Sequence, residues 1–197
     1  MRSEFLDSFP SPMQPQPQTP QQTKKARQAQ VTQEAQQTGR IGEIPGYPET
    51  GEFSWRASND GVFIKAANDY NAKNNFSPGD PLYLTPRQLK AWAIIESGGK
   101  GYQKYFATDP LQVNNPPDWT DEKTKVAGLT YKQTMTPEIS AEAAPKWMLY
   151  KMKKQSAPDM YDAMHAYNGN KSKNYRKTHK IPLNDYYATA VNWLGGP

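Results

Sequence analysis

The chain contains no cysteine, which excludes disulfide bonds and thiolate metal sites. It has no run of 18 apolar residues, so the sequence predicts no membrane-spanning helix. Its first residues, Met1–Phe5, lack the apolar core of a secretory signal, and we expect no signal peptide. There is no strong strand pattern and no internal repeat. These absences favour a mainly α, compact domain in a chain of 197 residues.

The first quarter of the chain differs in composition from the rest. Proline and glutamine alternate between Pro10 and Gln22, and such a segment buries too little apolar surface to offset the entropy lost on ordering. We therefore predict a disordered or partner-ordered tail over 1–50 and a folded domain over 51–197. Within the tail, Lys24–Gln37 can form a marginal helix. Three apolar residues offer an anchor for a partner: Phe5, Leu6 and Phe9.

The positive charge lies in the predicted domain. Residues 1–50 hold five basic and five acidic side chains, so the net charge of +5 falls on residues 51–197. A basic domain favours an anionic polymer as partner. No nucleic-acid motif accompanies the charge, which disfavours DNA and RNA. His165 and His179 have no partners at metal-ligand spacing, so we predict neither a metal site nor a cofactor.

One helix has both of its ends defined by the sequence. Thr85 suits the N-cap, Pro86 suits the first helical position, and Gln88 completes a capping box. Gly98 and Gly99 then predict a left-handed turn that ends the helix.

Glu96 lies on the apolar face of this predicted helix. Leu89, Trp92, Ala93 and Glu96 follow the spacing i, i+3, i+4, i+7. Partial burial and the negative end of the helix dipole both raise the pKa of a carboxyl group there. A carboxyl group that stays protonated near neutral pH can serve as a general acid. The alternative is a glutamate at the rim, where the last helical turn has already reached water.

The remaining pattern is helical apart from one long segment. Residues 99–135 are interrupted by prolines and read as an irregular loop, and loops of that length are usually functional. Further helices are predicted, with these bounds or starts: Asp60–Asn71 capped by Ser58, a helix starting at Thr136-Pro137 and kinked or delayed by Pro145, Asp159–Asn168, and Asp185–Leu194.

Five short motifs stand in a characteristic order. They are Glu96-Ser97-Gly98 (compare "ES-G"), Asp109–Asn114 ("G-L-M-Q", or the variant "D-P-M-Q-V"), Ala144–Met148 ("G-x-x-Y-L"), Ala166–Gly169 ("A-Y-N-x-G") and Tyr187–Val191 ("Y-x-x-x-V"). In this order they resemble the soluble lytic transglycosylases, which share the goose-type lysozyme fold. The variant motif is typical of phage-associated and secreted members. Asp109, Pro110 and Ala144 depart from the commoner pattern.

The resemblance implies a lysozyme-like helical domain that cleaves the β-1,4 bond between N-acetylmuramic acid and N-acetylglucosamine in peptidoglycan. One glutamate, here Glu96, does the proton transfers and leaves a 1,6-anhydro product without metal or cofactor. An enzyme of this kind acts in the periplasm or cell wall. Without a signal peptide it needs delivery by a virion, a secretion system or lysis, and the tail could attach it to such a carrier.

Several residues near the motifs are candidate substrate contacts: Ser97, Gln112, Asn114, Trp119, Tyr167 and Asn168. Tyr167 can donate its hydroxyl near Glu96, and Trp119 can stack on a sugar ring or be buried in the core. Gln112 can instead make a hydrogen bond within its loop, and Asn168 can simply end a helix.

Two other functions remain open at this point. Asp109 is a candidate second carboxylate, and two carboxylates flanking the bond would favour a hydrolytic muramidase. The basic surface and the tail also fit a module that binds glycan, or nucleic acid, without turnover.

Overall fold

The computed structural model describes residues 19–183 and 186–196. The regular elements of these residues are helices, and one isolated antiparallel bridge joins Ile44 to Tyr47. The α-helices are α1 (Pro20–Thr38), α2 (Asp60–Asn74), α3 (Pro86–Ser97), α4 (Gln103–Phe106), α5 (Glu122–Ala127), α6 (Pro137–Lys154), α7 (Met160–Tyr167), α8 (Lys173–His179) and α9 (Tyr186–Gly195). Two 3-10 helices cover Gly51–Ala57 and Pro116–Asp118. The mainly α prediction is confirmed, and none of the described helices is long and apolar enough to cross a membrane.

Helix α3 is the buried centre of the structure. It packs against α1, α2, α4 and α9, and its residues from Leu89 to Ile94 are all buried. Its predicted N-terminal cap is confirmed. The Gln88 backbone N–H donates to the Thr85 hydroxyl at 3.1 Å, and the Thr85 N–H donates to the Gln88 side chain at 3.0 Å. A helix buried on most sides has little freedom to shift.

The end of α3 differs from the prediction. Gly98 has φ −84°, so no left-handed turn forms there. A Cβ atom at Gly98 would lie 2.7 Å from the Ile94 carbonyl oxygen. This position therefore requires glycine because there is no space for a side chain. The Gly98 carbonyl accepts two hydrogen bonds from the buried Arg56 guanidinium, at 2.9 and 2.6 Å. Arg56 also donates to the Pro48 carbonyl at 3.0 Å, and this places the residues before α2 against the end of α3.

Residues 39–50, here called the strap, pack against α2 and α3. Ile44 is fully buried. The Lys90 ammonium, which is also fully buried, donates to the Gly42 carbonyl at 2.9 Å and forms ion pairs with Glu49 and, at 2.7 Å, with Asp60. The strap is therefore part of the folded body.

Helix α1 contacts the body through polar groups. The Gln28 side chain accepts from the Gly79 N–H at 2.8 Å, and the Tyr83 hydroxyl donates to the Thr32 hydroxyl at 3.1 Å. The predicted tail boundary near residue 50 is therefore wrong for residues 19–50. Hydrophobic patterning missed these residues because their buried contacts are mostly hydrogen bonds and ion pairs. The predicted anchor residues, Phe5, Leu6 and Phe9, lie outside the described residues. Asp185, the predicted start of the last helix, also lies outside them.

Other element boundaries also change. The predicted 99–135 loop contains α4, α5 and one 3-10 helix, and α8 was not predicted. Asn59, rather than Ser58, precedes α2, and its amide donates to the Phe106 carbonyl at 2.7 Å. Helix α6 starts after Thr136 as predicted and continues through Pro145. Helix α7 starts at Met160, one residue after the predicted start, and Asp159 is its N-cap.

Replacement of Lys90 tests the importance of the strap. In Lys90→Met the Glu49 and Asp60 carboxylates stay buried without their cation, and removing one partner of a buried ion pair costs about 3–5 kcal/mol. We expect a fall of that order in the free energy of unfolding, measured in urea. Lys65→Met is the matched control because the Lys65–Asp69 pair is exposed, and little change is expected. Equal midpoints for both variants would show that the strap is not anchored in this way.

Candidate active site

A cleft of about 390 Å³ opens at the C-terminal end of α3. Its walls come from α3, residues 112–120, α5, α6 and the end of α7. Four residues singled out from the sequence besides Glu96 meet here: Gln112, Trp119, Tyr167 and Asn168. The structure adds four side chains that sequence reasoning did not assign to a site: Asp118, Lys123, Trp147 and Lys151.

Glu96 is partly buried in the cleft wall and is held by a tyrosine of α9. The Tyr187 hydroxyl donates to Glu96 Oε1. Burial raises the pKa of the Glu96 carboxyl above its ordinary value, and the Tyr187 hydrogen bond opposes this by stabilising the carboxylate. The charges of Asp109 and Asp118 raise the pKa further. A carboxyl group with a raised pKa, open to a cleft, can donate a proton near neutral pH.

Trp92 and Tyr167 form the aromatic support of this site. Their rings meet edge to face with centroids 4.4 Å apart. The Trp92 indole N–H has no hydrogen bond of normal geometry. Its interaction with Glu96 nevertheless favours the carboxylate and lowers the pKa of that group. The Tyr167 hydroxyl donates to the Leu111 carbonyl at 2.6 Å. The expectation that Tyr167 donates near Glu96 is therefore wrong, and Tyr187 is the donor.

Asp109 fixes the loop below the cleft and does not line it. One of its oxygens accepts from the Ser140 hydroxyl at 2.6 Å and from the Val113 N–H at 3.2 Å, while the other accepts from the Asn114 N–H at 3.0 Å. Both oxygens are thus used to shape the turn. Of the two aspartates, Asp118 lines the cleft and Asp109 does not.

Two other predicted substrate contacts are also structural. The buried Ser97 hydroxyl donates to the Pro110 carbonyl at 2.7 Å and joins α3 to the same loop. Asn114 is buried, and its amide points to the Thr130 and Gln133 carbonyls at 3.4 and 3.5 Å. Neither Ser97 nor Asn114 lines the cleft.

The other predicted contacts lie at the cleft surface. Gln112 has φ +49°, and its side chain donates to the Asp109 carbonyl at 2.7 Å, so the loop-internal bond is present. Trp119 is partly exposed, with its ring 5.6 Å from that of Tyr131. Asn168 ends α7 and is exposed. Trp119 and Asn168 are therefore accessible to a ligand.

Two of the four cleft residues that sequence reasoning missed could have been found from helical spacing. Trp147 and Lys151 are four residues apart and therefore share a face of α6. Lys123 and Asp118 carry no such signal, because they belong to the segment that was predicted to be irregular. Tyr187 was noted within a motif but had no assigned role, since its contact with Glu96 spans 91 positions of the sequence.

A larger groove of about 950 Å³ lies between α2 and α6. Its two glutamates have lowered pKa values, Glu138 through backbone and Thr136 hydrogen bonds and Glu142 through a hydrogen bond from Lys146. Both are therefore carboxylates at neutral pH and poor proton donors. Of the two openings, the smaller cleft therefore holds the better candidate for a proton donor, Glu96.

Comparisons with protein-family models, with curated proteins and with solved structures found no match to this chain. Within residues 19–183 and 186–196, no group of three or more His, Asp or Glu side chains is placed to hold a metal ion.

Replacement of Tyr187 tests how the Glu96 pKa is set. Tyr187→Phe removes a donor that stabilises the carboxylate, so we expect the Glu96 pKa to rise further. Titration of 13C-labelled glutamate carboxyl groups by NMR measures the shift. Tyr186→Phe is the matched control because Tyr186 is 77% exposed. A fall, or no change, in the Tyr187→Phe pKa would contradict the assignment.

The raised pKa also predicts how stability depends on pH. The folded state binds the Glu96 proton more tightly than the unfolded state, so the free energy of unfolding falls as pH rises from about 4.5 through the folded pKa. Glu96→Gln cannot titrate. We expect its stability relative to the unaltered protein to increase across this window in urea unfolding at several pH values. A constant difference would show that the Glu96 pKa is ordinary.

Proposed function

We propose that this protein is a peptidoglycan lytic transglycosylase with a lysozyme-like domain and Glu96 as its catalytic acid and base. The observation that carries the proposal is Glu96 itself, a partly buried carboxyl group with a raised pKa at an open cleft. Trp119 and Trp147 give the cleft aromatic faces, which suit the C–H faces of sugar rings. The order of the five motifs supports the same assignment.

The proposed reaction needs two proton transfers by one group. Protonated Glu96 donates to the glycosidic oxygen between N-acetylmuramic acid and N-acetylglucosamine, and the bond from that oxygen to C1 breaks. The Glu96 carboxylate then takes the proton of the muramoyl C6 hydroxyl as its oxygen bonds to C1. The products are a 1,6-anhydro end and a free 4-hydroxyl group.

Tyr187 assists the first half of this cycle, because its hydrogen bond stabilises the carboxylate that Glu96 becomes when it gives up its proton. Burial favours the protonated form of Glu96, whereas the Tyr187 hydrogen bond favours the carboxylate. A group that must give and then regain a proton works best when neither form is strongly disfavoured near the operating pH.

A second function, hydrolysis by a muramidase, is favoured by Asp118. This carboxylate lines the cleft with Glu96, and its charge acts on the Glu96 pKa. A carboxylate across the scissile bond can activate water. Products with reducing ends would identify this reaction.

The proposed site of action is the periplasm or cell wall. Because the strap and α1 belong to the folded body, a carrier-binding role is proposed only for residues 1–18.

Digestion of purified peptidoglycan with mass spectrometry of the products tests both functions. The full chain should release 1,6-anhydro fragments, and Glu96→Gln should lower the rate at least about a hundredfold, because proton transfer by a positioned acid contributes about 10²–10⁴-fold. Glu138→Gln, in the larger groove, is the matched control and should stay active. Full activity in Glu96→Gln would refute the role of Glu96. Glycan binding without release of any fragments would favour a binding module.

A further inference from the structure

Two lysines flank Trp147 in the wall of the cleft. The Lys123 and Lys151 ammonium nitrogens lie 5.5 and 5.7 Å from the centre of the Trp147 ring. Each donates to a backbone carbonyl of the wall, Lys123 to Val113 at 2.7 Å and Lys151 to Tyr167 at 3.0 Å. An ammonium group has three N–H donors, so each of these hydrogen bonds uses only one.

Within the part of the chain that the structure describes, neither lysine is paired with carboxylates, in contrast to the buried Lys90 of α3. The buried Lys90 has two carboxylates within 4 Å, from Glu49 and Asp60. Among the described residues, no ion pair within 4 Å involves Lys123 or Lys151. Their burial without a paired anion is unfavourable, and it lowers the pKa of both side chains.

The charges of the cleft leave a local excess of positive charge. Asp118 acts on both lysines and Asp109 acts on Lys123, whereas Lys171 adds a third positive charge near Lys151. Glu96 contributes no negative charge while it is protonated. An anionic group on a ligand would therefore be attracted to the Trp147 side of the cleft.

We propose that Lys151, supported by Lys123, forms a subsite for a carboxylate carried by the glycan. Lys151 makes the direct contact because it is only partly buried. Lys123 is 2% exposed and adds its charge from deeper in the wall. Trp147, between them, packs against the sugar that carries the carboxylate. This inference rests on the proposed function and deepens it.

The carboxylate has two sources in such a polymer. In a peptide-free strand it is the lactyl carboxylate of N-acetylmuramic acid. In a peptide-bearing strand the lactyl group is an amide, and the carboxylates belong to the peptide. Oligomers of N-acetylglucosamine have the same type of neutral acetamido group but carry no carboxylate.

Binding should be measured by calorimetry with the full chain carrying Glu96→Gln, which prevents turnover. The probes are peptide-free strands, peptide-bearing strands, strands whose carboxylates have been amidated, and the N-acetylglucosamine hexamer. We expect amidation to weaken binding about tenfold, the size of one charge-assisted hydrogen bond. This comparison needs no change to either lysine.

Variants of α6 give the matching test on the protein side. Lys151→Met should weaken binding of carboxylate-bearing strands about tenfold and remove the effect of amidation, whereas Lys151→Arg should keep it. Lys153→Met is the control, since Lys153 is exposed on the same helix and faces the larger groove. Hexamer binding should be unchanged in all three variants.

The outcomes separate this inference from the proposed function. Lysine dependence with peptide-free strands identifies the lactyl carboxylate, and dependence with peptide-bearing strands alone identifies the peptide; either supports the subsite. Equal affinity for native and amidated strands, or an equal loss for strands and hexamer in Lys151→Met, overturns the subsite and leaves the proposed function standing. No binding of any glycan overturns both.

Discussion

A lysine sealed inside the protein by two carboxylates joins segments that are far apart in the chain. Lys90 of α3 pairs with Glu49 of the strap and Asp60 of α2. These two ion pairs fix the strap and α2 against α3. Arg56 fixes the end of α3 by donating to the Gly98 carbonyl. Since Glu96 is the last residue but one of α3, its position depends on both contacts. Glu96 is thus positioned by groups that do not line the cleft.

The chemistry of Glu96 reflects two opposed effects on one carboxyl group. Burial favours the protonated form, and the Tyr187 hydroxyl favours the carboxylate. The net pKa stays above the ordinary value, so burial is the larger effect. Helix α3 supplies Glu96 and helix α9 supplies Tyr187. The two helices can pack closely because Gly195 has no side chain; a Cβ atom there would lie 2.7 Å from Gln88. Fold and acidity are coupled through this helix pair.

The sequence predicted what depends on local pattern and missed what depends on distant polar contacts. The Thr85 cap and the burial of Glu96 follow from spacing within one helix, and both agree with the structure. Asp109 is the first residue of one of the motifs, but motif spacing cannot show that both of its oxygens shape a turn. The strap was predicted to be part of the tail because it follows a Pro- and Gln-rich segment, and composition does not reveal its ion pair with Lys90. Lys123 was missed because it lies in the segment predicted to be an irregular loop, where helical spacing gives no information.

The walls of the cleft are cross-linked by side chains that bind backbone carbonyls. Lys123 holds Val113, Tyr167 holds Leu111, and Lys151 holds the last residue of α7. A loop fixed at so many points loses little conformational entropy when a ligand arrives. Recognition by this cleft is therefore closer to a rigid fit than to folding around the ligand, and its selectivity depends on shape and charge already in place.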